Sequence, residues 1–178
     1  MCKRSLRVLF IDLDGTIWNH LDVSALTPPF KRVGADVVED SAGIKVRLSR
    51  GVREFLVGVR KLGIIIASLS WNNPVKALEI IKAFGINHLF DVHYIEPHPR
   101  KGEVMAYALT DLSEKLNIRL GPENVVYIDD RDIHISEVRE KVGDVLFLHA
   151  WRDFRDFREA YEIIRKYVEW IPWSHPLR

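Results

Sequence analysis

The sequence predicts an α/β domain whose core is a doubly wound, mostly parallel sheet of five strands, as in Rossmann-like folds. The first observation is a set of five short apolar runs, at residues 8–11, 64–67, 92–95, 125–128 and 145–148. Strands that are buried on both faces of a sheet typically read as continuous apolar runs of this kind. The second observation is that helix-length amphipathic segments separate these runs. Parallel strands need helical crossovers between them, and these segments can supply them.

An insertion is predicted between the first and second strands. Two β-like pieces, residues 33–38 and 44–48, flank a turn-forming sequence at residues 40–43. Two such pieces around a short polar turn are typical of a hairpin. We therefore expect a small β-hairpin insertion over about residues 31–48. This insertion is too short to form a separate domain, which needs at least ~50 residues.

The helices are predicted from apolar stripes and from the residues that begin and end them. Ser49 is expected to cap a helix over residues 51–62. Asn72 or Asn73 is expected to cap the second helix, because Pro74 then stands in its first turn. Three further helices are expected at residues 102–116, 132–142 and about 153–171. No repeat or linker interrupts the alternation, so the whole chain, residues 1–178, is expected to form one domain.

The composition fits a globular domain that buries its core without disulfide bonds. Hydrophobic residues make up 47% of the 178 residues, charged residues make up 29%, and Cys2 is the only cysteine. A net charge of +1 makes nucleic acid an unexpected partner. A membrane is not expected either, since no apolar stretch approaches the ~20 residues of a spanning helix. A cytoplasmic protein is therefore expected, and the lack of glutamine resembles proteins of thermophiles.

Acidic and hydroxyl side chains follow three of the predicted strands at their carboxyl ends. These residues are Asp12 and Asp14, Ser68 and Ser70, and Asp129 and Asp130. Because the ligand crevice of an open α/β sheet lies beyond these strand ends, we expect the four carboxylates to converge. Two unit charges about 4 Å apart repel each other by roughly 4 kcal/mol at an effective dielectric constant near 20. A counter-charge is therefore needed, and both Lys101, which opens the helix after the third strand, and Mg²⁺ could supply it.

Four segments resemble, in their order and spacing, the four motifs of the haloacid dehalogenase superfamily. They are Asp12-Leu13-Asp14-Gly15-Thr16, Ser68 after an apolar strand, Lys101 on a later helix, and Asp129-Asp130 after another strand. Three further features look like the magnesium-dependent phosphatase subfamily, namely Trp18, the Pro28-Pro29-Phe30 loop, and the hairpin with Asp40 and Gly43. Most larger members of the superfamily carry a cap domain, and the short insertions of this chain predict an open site without one.

The resemblance implies a magnesium-dependent phosphatase that hydrolyses phosphate monoesters, with catalytic and phosphate-binding roles for four residues. Asp12 would be the nucleophile that forms an aspartyl-phosphate. Asp14 would protonate the leaving oxygen and then take a proton from the hydrolytic water. Ser68 and Lys101 would bind oxygen atoms of the transferring phosphoryl group.

The resemblance also implies a magnesium site and two supporting residues. Asp12, Asp130 and the backbone carbonyl of Asp14 would hold Mg²⁺. Asp129 would orient the lysine, and Thr16 would steady the turn after the first strand through its hydroxyl. Such an open site would admit a phosphorylated small molecule or a phosphoprotein, so protein phosphotyrosine or a bulky phosphate ester is the expected substrate.

Two residues depart from the subfamily pattern. Leu69 follows Ser68, whereas close relatives tend to carry arginine there. Gly15 stands where animal members of the subfamily have a bulky tyrosine. The natural substrate therefore does not follow from the resemblance.

Two other functions are consistent with the sequence. An inactive or slowly reacting phospho-accepting signalling or interaction domain could use the same fold. Receiver domains, however, place paired acids on the first strand and a lone aspartate on the third, whereas this chain has Asp12 and Asp14 after the first strand and the pair Asp129-Asp130 after the fourth. A carbon–halogen hydrolase is less suitable, because its chemistry needs neither Asp14 nor Asp129. Trp170 and Trp173 could mark a subunit interface, which would make the protein a homodimer.

Several residues near the predicted site also have more than one explanation. His93, Glu96 and His98 could form a metal triad, although such spacing more often belongs to a solvated loop. Arg100 and Arg131 flank the site and could bind substrate anions, although surface charge is the commoner role of such residues.

Overall fold

The computed structural model describes residues 7–170, which contain eight β-strands and five α-helices. The strands are β1 (Arg7–Ile11), β2 (Lys31–Gly34), β3 (Val37–Glu39), β4 (Lys45–Arg47), β5 (Ile64–Trp71), β6 (Val92–Glu96), β7 (Val125–Asp129) and β8 (Leu146–His149). The helices are α1 (Val52–Lys61), α2 (Pro74–Phe84), α3 (Lys101–Leu116), α4 (Ile135–Lys141) and α5 (Phe157–Trp170).

Five of the strands form the predicted parallel sheet, in the order β6-β5-β1-β7-β8. The central strand β1 pairs with β5 on one side and with β7 on the other, and all neighbours run parallel. Ile11 lies beside Ser68 of β5 and Ile128 of β7, so these three strands approach the same edge of the sheet. The predicted fold class is therefore confirmed, and the residues that follow the three strands meet at one edge.

Helices cover both faces of the sheet, because alternate strand residues point to opposite sides. Leu9 and Ile11 belong to a core cluster that they share with residues of α1, α2 and α5. Val8 and Phe10 belong to a second cluster, which includes residues of α3 and α4. A slip of one residue in β1 would exchange the two sets, so burial on both faces fixes the register on which the site depends.

The predicted hairpin insertion is a three-stranded antiparallel sheet, in the order β2-β3-β4. The first predicted β-like piece is divided between β2 and β3, because the chain turns after Gly34 and pairs this residue with Val37. The second turn lies where the sequence predicts it, and the carboxylate of Asp40 accepts the N–H groups of Ala42 and Ile44 there. The extra turn escaped the sequence pattern because it contains no strong turn dipeptide.

The predicted cap of the first helix is wrong. Ser49 does not cap α1, since its hydroxyl donates to the backbone carbonyl of Thr16 at 2.8 Å. Gly51 precedes the helix instead, with a φ of +82° that favours glycine. Ser49 thus ties the start of α1 to the turn that follows β1.

The last two helices begin later than predicted. α4 begins at Ile135 instead of residue 132, and α5 begins at Phe157 instead of residue 153. The predicted end of the last helix at residue 171, and Trp173, lie outside the described residues. Within residues 7–170, no helix has the length and apolar character that crossing a membrane requires.

Candidate active site

The strand ends border a surface cleft with a volume of about 550 Å³. Asp12 follows β1 directly, and Asp129 ends β7 with Asp130 after it. Asp12 and Asp14 line the cleft, together with Trp71 at the end of β5 and with residues of the loops that follow β1, β5, β6 and β7. The sequence-predicted acids are therefore gathered at the carboxyl edge of the sheet, around an opening that a ligand can enter.

A buried lysine neutralises part of this acidic cluster. Lys101 is only 2% exposed, and its ammonium group lies 2.7 Å from Asp12 Oδ1 and 2.6 Å from Asp129 Oδ2. Gly102 permits this placement because α3 packs closely on α4. A Cβ atom added to Gly102 would lie 2.8 Å from the backbone carbonyl oxygen of Glu137. The start of α3 can therefore bring Lys101 to the strand ends.

Burial and the neighbouring charges together shift the pKa values of all three groups. Burial would lower the pKa of Lys101, but Asp12 and Asp129 outweigh it and raise that pKa above its usual value. Burial raises the pKa of Asp12, and Lys101 opposes this effect. Burial would also raise the pKa of Asp129, but Lys101 and the Tyr127 hydroxyl hold it below its usual value. Lys101 and Asp129 therefore form a charged pair at neutral pH.

Asp130 is held against the turn that follows β1. Its backbone N–H donates to Thr16 Oγ1 at 3.0 Å, and the same hydroxyl lies 3.5 Å from carboxylate oxygens of Asp12 and Asp130. Gly15 has a φ of +66°, and a Cβ atom added there would lie 2.5 Å from Asp130 Oδ2. Glycine is therefore needed here both for the backbone conformation and for the space that the Asp130 carboxylate takes.

Three carboxylates lie close enough together to share a metal ion. One oxygen each of Asp12, Asp129 and Asp130 lie within 4.8 Å of one another, the only such group of metal-ligand side chains in the described part of the chain. A set made only of oxygen atoms fits hard cations such as Mg²⁺ and Ca²⁺. Both oxygens of Asp129 already accept hydrogen bonds, from Lys101 and from the N–H of Arg131. Asp12 and Asp130 therefore have the more available oxygens.

Asp14 lies in a different environment from Asp12, although the two residues are close in sequence. Its Oδ1 accepts the indole N–H of Trp18 at 2.6 Å, and its Oδ2 accepts the side-chain amide of Asn72. The backbone N–H of Val23 lies 3.4 Å from both oxygens. Burial raises the pKa of Asp14 to about 6, against the opposing effects of Trp18 and Val23. A carboxyl group with such a pKa can serve both as an acid and as a base near neutral pH.

No hydrogen bond joins Ser68 to the carboxylates in the described structure. Ser68 is fully buried, and its Oγ lies 2.9 Å from Nδ1 of His93 on β6. The strand predicted at residues 64–67 is longer in the structure. It is β5, which continues through the buried Leu69 to Trp71. Ser70 therefore lies nearer the carboxyl end of the strand than Ser68 does. The Oγ of Ser70 is buried and has no hydrogen-bond partner among residues 7–170.

Of the other residues that the sequence suggests for the site, only Arg131 lines the cleft. His93, Glu96 and His98 form no group of potential metal ligands within the described residues. Arg100 is exposed and forms an ion pair on the surface of α3. Arg131 lines the cleft and is the one of the two arginines that a bound anion would meet there.

The sequence did not predict several residues that support the site. The Tyr127 hydroxyl donates to Asp129, and the Asn72 amide donates to Asp14. The indole N–H of Trp151 donates at 2.6 Å to a backbone carbonyl in the turn after β1. The contact of Tyr127 with Asp129 could have been predicted, because residues two apart on a strand point to the same face. The contacts of Asn72 and Trp151 could not, since they join segments that are distant in sequence.

A protein-family model described as Acid Phosphatase matches residues 5–144 of the chain. The matched region runs from β1 to α4 and includes every member of the acidic cluster and Lys101. No curated protein matches the chain.

Solved structures share the fold at low sequence identity. The N-terminal part of a Bacteroides fragilis protein, which contains a phosphatase domain complexed with Mg, has a TM-score of 0.57 and 24% identity, over 98% of this chain and 43% of that one. The HAD domain of the Legionella pneumophila effector Lem4 has a TM-score of 0.59 and 17% identity, over 91% and 95% of the two chains. A putative 3-deoxy-D-manno-octulosonate 8-phosphate phosphatase from Vibrio cholerae has a TM-score of 0.57 and 17% identity, over 96% and 89%.

The chain thus spans less than half the length of the Bacteroides protein. These similarities show that the chain shares its fold with the phosphatase domain of the Bacteroides protein and with the HAD domain of Lem4.

We expect Lys101→Met to destabilise the metal-free protein by about 3–5 kcal/mol at pH 7, because buried carboxylates lose their counter-charge. Without the lysine, the folded-state pKa of Asp12, which burial already raises, rises further, and the pKa of Asp129 rises above the unfolded value of about 3.9. The folded state then binds more protons than the unfolded state, so the stability of the variant falls as the pH rises from about 4 to 7. Urea denaturation at several pH values measures this dependence.

Lys115→Met is the matched control on the same helix. Lys115 is exposed and pairs with Asp111 at the surface, so its loss should change the free energy of unfolding little at any of these pH values. Equal stability of the Lys101→Met variant and the wild-type protein at pH 7 would show that the buried ammonium group is not needed to balance the carboxylates.

Proposed function

The chain belongs to the Acid Phosphatase family, and on this premise we propose that it is a magnesium-dependent phosphomonoester hydrolase with an aspartyl-phosphate intermediate. The observation that carries the proposal is the buried Lys101 between Asp12 and Asp129, beside the carboxylates that could share a cation. A phosphate anion needs positive charge of this kind where it binds. Stability alone is a poor reason to bury so many charged groups, because each one carries a desolvation cost.

In the proposed first step, Asp12 attacks the phosphorus atom of the ester. Oδ2 of Asp12 is the freer oxygen, since Lys101 holds Oδ1 at 2.7 Å while Oδ2 has only a 3.5 Å contact with Thr16. A bond forms between this oxygen and phosphorus while the bond from phosphorus to the leaving oxygen breaks. The protonated carboxyl group of Asp14 gives its proton to the leaving oxygen, so that an alcohol departs.

In the proposed second step, water hydrolyses the aspartyl-phosphate. Asp14 is now ionised and takes a proton from the attacking water molecule. The bond between phosphorus and the Asp12 oxygen breaks, which releases inorganic phosphate and restores both side chains. A pKa of about 6 for Asp14 supports this exchange of roles. Throughout, Lys101 offsets the negative charge on the phosphoryl oxygens.

The donor set fits Mg²⁺ as the cofactor. Asp12, Asp130 and the backbone carbonyl of Asp14 would hold the ion, while Asp129 remains paired with Lys101. A bound Mg²⁺ would supply positive charge to the phosphate oxygens. The Mg in the Bacteroides phosphatase domain supports magnesium over other cations that prefer oxygen ligands.

The geometry favours Ser70 over Ser68 as the hydroxyl that binds the phosphoryl group. Ser68 is engaged with His93, whereas the Ser70 hydroxyl has no partner among the described residues. Ser70 is followed directly by Trp71 and Asn72, which both line the cleft. Ser68 stays the residue that the sequence motif predicts, and the two serines can be tested against each other.

The cleft supports a bulky phosphate ester, such as phosphotyrosine in a protein, as the substrate. Leu21 and Trp71 line the same cleft as Asp14, and they are 76% and 43% exposed. Asp14 serves the leaving group in the proposed mechanism, so these two apolar side chains flank the place where that group would lie. An aromatic leaving group can stack on Trp71, and Arg131 offers a positive charge elsewhere on the cleft wall.

We expect Asp12→Asn to lower the hydrolysis of an aryl phosphate by at least about 10³-fold, because the nucleophile is lost. Removal of Mg²⁺ with a chelator should abolish activity of the wild-type protein. Acid-quenched wild-type enzyme should carry a phosphoryl group on Asp12 in peptide mass spectrometry. Asp144→Asn, which changes a carboxylate at the exposed surface, is the control and should remain fully active. Full activity of the Asp12→Asn variant would refute the proposed function.

We expect Ser70→Ala to lower kcat/KM by roughly 10²-fold, because a donor to the phosphoryl oxygens is lost. Ser68→Ala should lower kcat/KM less than about threefold, since this hydroxyl contacts His93. Steady-state kinetics of both variants with one substrate decides between them. The opposite order of effects would return the phosphate-binding role to Ser68.

We expect Trp71→Ala to lower kcat/KM for phosphotyrosine about five- to tenfold, the factor that a stacking contact near 1 kcal/mol provides. The value for ethyl phosphate should change less than about twofold, because this substrate has no ring to stack. Tyr107→Ala removes another exposed aromatic side chain, on α3, and should change neither value. Equal losses for both substrates in Trp71→Ala would contradict a contact with the leaving group.

A further inference from the structure

We propose that Asn72, together with Trp18, is a positioning residue that holds the carboxyl group of Asp14 for proton transfer to the leaving group. The inference rests on the proposed function, since Asp14 meets a leaving group only if the protein cleaves phosphate esters. It goes beyond that function because the four sequence motifs assign no role to Asn72.

Asp14 is held by hydrogen bonds from three separate segments of the chain. Trp18 donates to Oδ1 at 2.6 Å from the turn after β1, and Asn72 donates to Oδ2 from the residue after β5. Val23, in a short 3₁₀ turn, places its backbone N–H 3.4 Å from both oxygens. All three side chains, of Asp14, Trp18 and Asn72, are buried. Donors that arrive at both oxygens fix the plane of the carboxyl group, which a single contact could not do.

Asn72 is itself fixed so that its amide points at Asp14. Its Oδ1 accepts the backbone N–H of Asn73 at 2.7 Å, which leaves the NH₂ group to face Asp14. Its own backbone N–H donates at 3.0 Å to the carbonyl of Glu96, the last residue of β6. The orientation of the amide is therefore set by the backbone of the sheet and not by Asp14 alone.

The two side-chain donors suit a residue that transfers protons. An indole N–H donates but does not accept, and the amide of Asn72 turns only its donor NH₂ group towards the carboxyl. Neither Trp18 nor Asn72 therefore competes for the acidic proton of Asp14. Each carboxylate oxygen can accept two hydrogen bonds, and the single Val23 N–H, shared between both oxygens at 3.4 Å, fills at most one of the two positions left by Trp18 and Asn72, so at least one remains for the acidic proton. Asp14 and Asn72 both line the cleft, where the leaving oxygen would take the proton.

A positioning role predicts an effect that depends on the leaving group. Departure of an alkoxide needs a proton from Asp14, whereas a dinitrophenolate departs without one. Loss of the hydrogen bonds that hold Asp14 should therefore lower kcat/KM for alkyl phosphates more than for activated aryl phosphates. A residue that only stabilises the fold would change both substrates by the same factor. The ratio of the two kcat/KM values separates the two roles, because kcat/KM includes the step in which the leaving group departs.

The test compares Asn72→Ala with the wild-type protein on ethyl phosphate and 2,4-dinitrophenyl phosphate, with Mg²⁺ present. We expect kcat/KM for ethyl phosphate to fall at least about tenfold, a part of the 10²–10⁴-fold that general acid catalysis contributes. The value for 2,4-dinitrophenyl phosphate should fall about twofold or less. Trp18→Phe is the second variant, since it keeps the stacking on Phe84 but removes the indole donor, and it should shift the ratio in the same direction. Thermal melting of each variant establishes that it is folded.

Asn73→Ala is the matched control, because Asn73 caps α2 and makes no contact with Asp14 among the described hydrogen bonds. This control should leave the ratio between the two substrates unchanged. Equal losses for both substrates in folded Asn72→Ala and Trp18→Phe would overturn the positioning role while leaving the phosphatase proposal intact. A wild-type protein that hydrolyses neither substrate would instead overturn the proposed function, and the inference with it.

Discussion

The contact on which the rest of the site depends is the buried ion cluster of Lys101 with Asp12 and Asp129. Several carboxylates at one sheet edge repel one another, and burial makes each charge more costly. The ammonium group of Lys101 lies within 2.7 Å of both partners, so it balances charge that the fold would otherwise have to exclude. Its placement requires the close packing of α3 on α4 at Gly102. The charge balance at the acidic edge of the sheet therefore depends on how closely α3 packs on α4.

Around this cluster the fold gives two neighbouring aspartates different surroundings. Asp12 faces Lys101, whose ammonium group favours the ionised form that a nucleophile needs and opposes the burial that raises the pKa of Asp12. Asp14 faces neutral donors and has a pKa of about 6, which suits a group that gives and takes protons. The two proposed roles differ because of these surroundings, since the side chains are chemically identical. Gly15, which follows Asp14, leaves the space that the Asp130 carboxylate takes.

Much of the fold and of the site was predictable, because burial leaves a strong trace in the sequence. Strands buried on both faces read as apolar runs, and the acids that follow β1 and β7 had to meet because parallel strands end at one edge. The phosphate-binding role of Ser68 stays a prediction, since β5 continues past the buried Leu69 and leaves Ser70 nearer its carboxyl end. The wrong predictions have local causes. The cap assigned to Ser49 failed because its hydroxyl serves the turn after β1, a contact between segments far apart in sequence. Asn72 was missed for the same kind of reason.

The carboxylates and Lys101 are proposed to form a site that accepts one divalent cation. Calorimetric titration of Mg²⁺ into the wild-type protein and into Asp130→Asn tests this most directly, because it needs no assumption about the substrate. Asp130 has a more available carboxylate than Asp129, whose oxygens are both engaged. We expect saturable binding of one Mg²⁺ to the wild-type protein and a loss of at least about tenfold in affinity in the folded variant. The absence of binding to the wild-type protein, or equal affinity in both proteins, would contradict it.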